Sequence, residues 1–223
     1  MACLYVAREG IRWSALPDSF PPKSTVFYWF QKWSDSGLFK RALRTITRQL
    51  ERSGSIYNNL CFIDGMFVRS KGGSEFVGKT KCGKGHKMMA IIDRYGFPIA
   101  VSVTSASPHE SQLVTQTLDG KWTELSPKRL MGDKAYDSDK LDNILLSKGI
   151  DMIAPHKCNR KNKTQDGRKL RAYKERWKVE DFNCRIQRFR KIIIKYERKI
   201  VNFIGFLHLA TLKIAWNTAK RRF

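Results

Sequence analysis

Three apolar, strand-like runs follow one another between Asn58 and Ser107 and constrain the fold more than any other feature of this sequence. They are LCFIDGMFVRS, HKMMAIIDRYG and FPIAVSVTSAS. Each is rich in β-branched and other apolar residues, and a turn-like Asp93-Arg94-Tyr95-Gly96 joins the second run to the third, which predicts a three-strand meander. Two more strands, in KRLMGDKAYDS and GIDMIAP, alternate with helical patterns. This order predicts a mixed α/β sheet with helices on its faces.

Two carboxylates stand in or at the end of these apolar strands: Asp64 in CFIDGMF and Asp133 in RLMGDKAYD. A carboxylate inside a strand is costly unless it is paired or binds a metal. Two such acids on neighbouring strands, joined by a third acid from a helix, would form a pocket of oxygen ligands suited to Mg²⁺. Two such ions, roughly 3.5 to 4 Å apart, can activate a water or hydroxyl at a phosphodiester and stabilise its leaving oxygen.

Glu180 is the candidate for the third acid. We predict one helix from about Leu170 to Lys199, because its apolar residues recur at helical spacing. That stripe comprises Phe182, Ile186, Phe189, Ile193, Tyr196 and Ile200. Glu180 falls opposite it, in a column of polar groups that includes Tyr173, Arg176 and Lys191, which would hold DNA phosphates or orient Glu180. The alternative is an exposed glutamate paired with Arg176 at i−4, worth a few tenths of a kcal/mol.

The charge of the chain predicts a polyphosphate partner. Lys and Arg total 43 against 20 Asp and Glu, a net charge of +23, and residues 156–200 hold 17 basic against 5 acidic residues. A basic excess of this size is typical of nucleic-acid-binding proteins, although it leaves the activity open. Within the segment, Lys157, Arg160 and Lys161 are candidates for contacts with backbone phosphates. A basic surface kept only for solubility is the alternative.

Residues 1–55 have a helical pattern that is separate from the strands. Val26, Phe27, Phe30 and Trp33 share one face, Ser36-Gly37 ends that helix, and a second basic helix follows. Two such helices with a tight turn predict either a helix-turn-helix that docks on DNA or a small appendage that packs on the main domain. The apolar stretch 200–216 is interrupted by polar residues, so it predicts a core helix and no membrane span.

The chain resembles the DDE transposases of the insertion-sequence-five family over nearly its whole length. The resemblance rests on the order Asp64, Asp133, Glu180 with spacings of 69 and 47, on Tyr173-x2-Arg176-x3-Glu180, and on the motifs TSASPHES, GDKAYDSD, IAPHKCNRKNKTQDGR and YKERWKVE. It implies a ribonuclease-H-like catalytic domain over 56–223. It also implies a helix-turn-helix-like DNA-binding region over 1–55. Members of the family usually have further residues upstream of this region, so a truncated region is one expectation.

The same resemblance implies an activity and its participants. Asp64, Asp133 and Glu180 would be the catalytic residues and the ligands of Mg²⁺ or Mn²⁺. The partners would be double-stranded DNA, as element ends and target, and a second copy in a homodimer on paired ends, in a bacterial cytoplasm at the nucleoid. The predicted activity is hydrolysis of phosphodiesters at element ends and joining of the 3′-hydroxyl ends to target DNA.

Two alternatives stay open at this point: an inactive DNA-binding remnant and a stand-alone nuclease of the same fold. Two departures from the family pattern bear on the first. Gln187 stands seven residues after Glu180, where the family usually has Lys or Arg, and Asp181 stands where Arg is common. Glu110 is also open: it either starts a helix or lies near the acidic pocket.

Overall fold

Seven strands form one mixed sheet in the computed structural model, which describes residues 1–71, 75–161, 163–164 and 167–221. The strands are β1 Cys61–Ser70, β2 Gly78–Thr80, β3 Gly83–Asp93, β4 Pro98–Ser105, β5 Arg129–Met131, β6 Asp151–Ile153 and β7 Ile194–Lys195. The helices are α1 Ala2–Glu9, α2 Lys23–Asp35, α3 Leu38–Arg52, α4 Glu110–Asp119, α5 Asp139–Leu146, α6 Trp177–Gln187, α7 Arg190–Ile193 and α8 Ile200–Ala219. Three 3₁₀ segments lie at Trp13–Ala15, Lys134–Tyr136 and Lys169–Arg176.

The sheet has the order β4-β3-β1-β5-β6. β1 pairs with β3, and β3 with β4, in antiparallel register, so the predicted meander is confirmed. β5 then adds parallel to β1, and β6 parallel to β5. A meander extended by parallel strands and flanked by helices is the ribonuclease-H-like arrangement, which confirms the predicted fold class. Because β5 pairs with β1 only at Cys61 and Phe62, β1 continues beyond this ladder, and Asp64 lies in that continuation.

The N-terminal helices pack on the last helix. α2 and α3 both contact α8, and their buried side chains belong to the same apolar core as the sheet. Phe30 of α2 stacks on Phe206 of α8 with ring centroids 4.2 Å apart. A Cβ atom on Gly205 would collide with Ser34, so this glycine lets α2 approach α8 closely. The two helices therefore pack on the main domain, and whether they also dock on DNA stays a prediction.

α8 is the helix that the sequence predicted to lie in the core. By length and composition it could cross a membrane, but half of its most apolar window is buried inside the protein. Its buried residues include Phe203, Phe206 and Ala210, and α2, α3 and α6 all contact it. The prediction of a core helix is confirmed.

The prediction of one helix from Leu170 to Lys199 is wrong. α6 ends at Gln187, and the backbone leaves the helical region at Phe189 (φ −88°, ψ 96°) and again at Ile194 (φ −132°, ψ 124°). The physical reason is a tertiary pairing, because Ile194 and Lys195 extend alongside Arg69 and Ser70 at the end of β1. β-branched side chains favour this extended conformation. The predicted apolar stripe breaks accordingly: Phe182, Ile186 and Phe189 are buried, whereas Ile193 and Tyr196 are exposed.

Candidate active site

Asp64 lies in the middle of β1, opposite Ala90 of β3, with its side chain directed toward α6. That side chain is only 18% exposed. Its Oδ2 accepts a hydrogen bond from Asn183 Nδ2 at 3.0 Å, and its Oδ1 accepts one from Arg176 Nη1 at 3.3 Å. Both carboxylate oxygens of Asp64 are therefore bonded by donors from the segment that carries Glu180.

Arg176 joins Asp64 to Glu180. It is the last residue of the 3₁₀ segment before α6, and its Nη2 donates to Glu180 Oε1 at 2.5 Å. The pair with Glu180 is thus formed, as the surface-charge interpretation predicted, but the same guanidinium also reaches the carboxylate of β1. The Tyr173 ring lies beneath it, with the guanidinium carbon 5.7 Å from the ring centroid. The structure brings Asp64, Glu180, Arg176 and Tyr173 together.

Asp133 follows β5 and begins the short Lys134–Tyr136 turn, where its Oδ1 accepts a hydrogen bond from the Ala135 backbone N–H at 2.8 Å. Its charge acts on Asp64. Burial raises the pKa of the Asp64 carboxyl to about 6; Arg176 opposes this effect, and the charges of Glu110 and Asp133 add to it. Asp133 also favours the charged form of Arg176 and so contributes to the raised pKa of that guanidinium. Asp133 is therefore an electrostatic neighbour of both groups.

Glu110 is a fourth acid at this place. It begins α4, and it also lies beside Asp64: a Cβ atom on Gly65 would come within 2.6 Å of the Glu110 carboxyl carbon. The Tyr136 hydroxyl donates to Glu110 Oε2 at 3.0 Å. Burial, followed by the charges of Glu110 and Asp64, raises the pKa of Tyr136, so this hydroxyl stays a neutral donor. Glu110 therefore starts a helix and also lies near the acidic pocket, so the two positions that the sequence left open are both occupied.

Asn183 and Tyr136 were not singled out from the sequence. One sequence signal could have identified Asn183. It is the polar residue on the buried face of α6, which otherwise holds Val179, Phe182 and Ile186. A buried amide needs a hydrogen-bond partner, which pointed to a polar contact in the sheet. Tyr136 had no comparable signal, since its bond to Glu110 joins residues 26 positions apart.

The basic segment after β6 is attached to the Asp133 turn by an arrangement that we name the Asp137 clasp, consisting of Asp137, His156 and Arg160. Asp137, with a side chain 3% exposed, accepts hydrogen bonds from His156 Nδ1 at 3.1 Å and from Arg160. It also accepts one from the Lys157 backbone N–H at 2.8 Å. Arg160 pairs further with Asp139, which leaves its side chain 11% exposed. Lys157 and Lys161 are exposed, whereas Arg160 is bonded to carboxylates of the protein itself.

Lys191 was predicted on the Glu180 face of one long helix, but it does not lie there, because α6 ends at Gln187. It is buried, forms an ion pair with Glu197 at 3.2 Å and lies over the Phe206 ring. The two departures from the family pattern also have local partners. Gln187 Nε2 lies 3.2 Å from Met66 Sδ, and Asp181 forms an ion pair with Arg185 at 3.0 Å, which compensates its charge.

The chemistry of these side chains fits a hard divalent cation. Carboxylate oxygens are the ligands that Mg²⁺ prefers, and Asp64, Asp133 and Glu180 come from three different elements. Burial raises the pKa of Asp64 although Arg176 lies beside it, so a further cation there would stabilise the ionised carboxylate. In the described part of the chain, no three acidic, His or Cys side chains are already spaced to hold an ion, and the Arg176 guanidinium bonds both Asp64 and Glu180.

Comparisons with known proteins identify families and relatives that this chain resembles. A family model described as "Transposase DDE domain" matches residues 58–217, and one described as "Putative transposase of IS4/5 family" matches residues 1–43. The "Putative transposase for insertion sequence element IS6501" of Brucella ovis is 28% identical over 128 residues, which cover 57% of this chain and 95% of that protein. The corresponding protein of element IS402 from Burkholderia cepacia is 28% identical over 145 residues, which cover 61% of this chain and 65% of that protein.

A similar solved structure is the piggyBac transposase in a synaptic complex with hairpin DNA. The TM-score is 0.50 at 11% identity, and the match covers 73% of this chain and 48% of that one. At this identity the likeness concerns the fold alone. This chain therefore spans about half of that protein and about two thirds of the IS402 protein.

Proposed function

Because the chain belongs to the DDE transposases of the IS4/5 family, we propose that it cuts and joins DNA with a divalent metal, Mg²⁺ or Mn²⁺. It binds the ends of its element, hydrolyses a phosphodiester at each end and joins the freed 3′-hydroxyls to target DNA. One observation carries the proposal: the Arg176 guanidinium bonds Asp64 and Glu180 at once, so the acid of β1 and the acid of α6 meet at one side chain.

Asp64, Asp133 and Glu180 are the residues that would hold the metal. A two-metal site supplies Lewis-acid activation of the attacking water or hydroxyl and stabilisation of the leaving oxygen. Within the protein, Asn183 fixes the rotation of the Asp64 carboxylate through Oδ2. Arg176 fixes Glu180 at the start of α6, and the Ala135 N–H fixes Asp133. Each of these bonds restricts the side-chain rotation of its acid in the ion-free protein.

Double-stranded DNA is the proposed partner, as element ends and as target. The net charge of +23 supports it, and Tyr173, Lys157 and Lys161 are the proposed contacts near the acids. Arg176 is both an orienting residue and a candidate phosphate contact. Arg160 and Lys191 are left out, because both pair with carboxylates of the protein. The N-terminal region 1–55 is proposed to contribute DNA contacts, and the active species to be a homodimer on paired ends in the bacterial cytoplasm.

The test is incubation of the purified protein with duplexes from the ends of its own insertion element and a target plasmid, in Mg²⁺ or Mn²⁺. Cleavage and strand transfer are scored separately, on denaturing gels and by joined product. Asp133→Asn should abolish both while DNA binding is retained, because the change removes a metal ligand and a negative charge that faces phosphate. Asp119→Asn, on the exposed end of α4, is the matched control.

Each outcome has a definite meaning. Cleavage followed by joining supports a transposase. Cleavage without joining identifies a stand-alone nuclease, and tight end binding without metal-dependent cleavage identifies an inactive remnant.

A further inference from the structure

We propose that Glu110 is a fourth carboxylate of the acidic site, which the Tyr136 hydroxyl and the space above Gly65 place beside Asp64, where it helps to hold a divalent cation. The inference rests on the proposed function, because it adds a residue to the same metal site. It goes beyond the three acids of the family pattern.

The first step is the position of the carboxylate on the strand. Gly65 follows Asp64 directly, and a Cβ atom there would lie 2.6 Å from Glu110 Cδ and 2.9 Å from each of its oxygens. No side chain other than hydrogen fits at position 65 while Glu110 stays in place. Successive residues of a strand face opposite sides of the sheet, so Glu110 approaches Asp64 from the α4 side and Glu180 approaches it from the α6 side.

The second step is that the sheet is open at this point. The described ladder between β1 and β5 ends at the pair Phe62 and Met131, so the two strands are not joined at the level of Asp64 and Asp133. A group on the α4 side can therefore act on Asp64 past the edge of β1.

The third step is the orientation of the Glu110 side chain. Tyr136, whose ring packs against Gly132, is fully buried and donates its hydroxyl to Glu110 Oε2 at 3.0 Å. Tyr136 belongs to the turn that begins at Asp133, so one turn positions both acids. Lys87 is the cation that faces Glu110, at 4.0 Å from Oε1, and its Nζ is bonded at 2.8 Å to the Pro108 carbonyl. Its compensation of the Glu110 charge is accordingly partial.

A helix-start role alone does not explain these contacts. An acid in the first turn of a helix gains about 0.3 to 1 kcal/mol from the helix dipole wherever its side chain points. It needs neither a buried tyrosine donor nor a glycine on the neighbouring strand. The side chain of Glu110 is only 23% exposed and carries both constraints. A carboxylate held near another acid is stabilised by a cation between them.

The experiment measures Mn²⁺ binding to the full chain without DNA, by titration calorimetry and by the shift of thermal unfolding with Mn²⁺ concentration. Glu110→Gln keeps the shape and the acceptor for Tyr136 but removes the charge. Glu110→Asp keeps the charge but is one methylene too short to reach the same place. We expect both to weaken Mn²⁺ binding about tenfold or more. Asp119→Asn, on the same helix, should bind Mn²⁺ as the wild type does.

A second variant covers the case in which the Glu110 substitutions unfold the protein. Tyr136→Phe keeps the buried ring and removes the hydroxyl that orients Glu110, and it should weaken Mn²⁺ binding several-fold. The inference is overturned if wild type binds Mn²⁺, Asp64→Asn abolishes binding, and the Glu110 and Tyr136 variants bind normally. In that result the proposed function survives. If wild type itself binds no Mn²⁺, both the inference and the metal-dependent function are wrong.

Discussion

The amide of Asn183 donates to Oδ2 of Asp64 across 3.0 Å, so α6 holds the carboxylate of β1 directly. The other oxygen is held by Arg176. Asn183 belongs to the buried face of α6 and Asp64 to a central strand. The bond therefore couples the position of the helix that carries Glu180 to the position of Asp64.

Replacing Asn183 by Ala should lower catalysis more than stability. The buried Asp64 oxygen loses its donor, which costs about 1 to 3 kcal/mol in unfolding free energy. DNA affinity should stay unchanged, because Asn183 is not on the surface. End cleavage measures catalysis, chemical denaturation measures stability, and an end-binding assay measures DNA affinity. Asn143→Ala, an exposed position on α5, is the control. A variant with normal cleavage would show that the orientation of Asp64 does not depend on this bond.

Arg176→Gln should destabilise the protein because it removes the cation that joins Asp64 to Glu180. Arg176 is 16% exposed on its side chain, and hydrogen bonds to charged groups of this kind contribute about 1.5 to 3 kcal/mol. Arg171→Gln removes the same charge from an exposed position of the same 3₁₀ segment. The measurement is the urea midpoint of both variants. Equal midpoints would mean that the contacts of Arg176 contribute no stability.

Arg160 and Lys161 should behave differently although they are neighbours. Arg160→Ala breaks the Asp137 clasp and should lower the thermal midpoint, since it leaves the buried Asp137 carboxylate with one donor fewer. Lys161→Ala should leave stability unchanged and reduce the slope of log K for DNA against log salt by about 0.9, one phosphate contact. If Arg160→Ala changes only the salt slope, the clasp does not hold in solution.

His208 should make the protein sensitive to acid. Burial, with a contribution from Lys40, lowers the pKa of this histidine from 6.5 to about 4 in the folded protein. The unfolded chain therefore binds a proton between these values that the folded chain does not, and stability falls as pH decreases from about 6.5 to about 4. His208→Gln cannot take up that proton. Denaturation at several pH values measures the unfolding free energy of both proteins. As pH decreases through this window, the stability of the variant relative to wild type should rise, and a constant difference would contradict the prediction.

The strands were predictable from the sequence because their apolar runs are local signals, and α8 was predictable for the same reason. The end of α6 at Gln187 was not predictable in this way. The residues from Phe189 to Tyr196 keep a helical spacing of apolar side chains. Only the pairing with the end of β1 makes Ile194 and Lys195 extended, directly after α7.

The same distinction applies to the site. Asp64, Asp133 and Glu180 were found from strand context and from resemblance, and their roles stay proposals. The contacts around them depend on tertiary structure: Tyr136 with Glu110, Arg160 with Asp137, and Lys191 with Glu197 join residues whose patterns say nothing of one another. A basic residue in a basic segment is read from sequence as a free charge. In the folded protein, however, Arg160 and Lys191 form ion pairs with Asp137 and Glu197.

The position of α8 has a genetic consequence. This helix comprises residues 200–219, downstream of all three acids. It nevertheless contacts five other helices: α1, α2, α3, α6 and α7. A stop codon shortly before it would leave every proposed catalytic codon intact and still remove the surface on which the N-terminal helices and the Glu180 helix are supported. Decay of element copies through late nonsense or frameshift mutations should therefore be as complete as decay through loss of an acid.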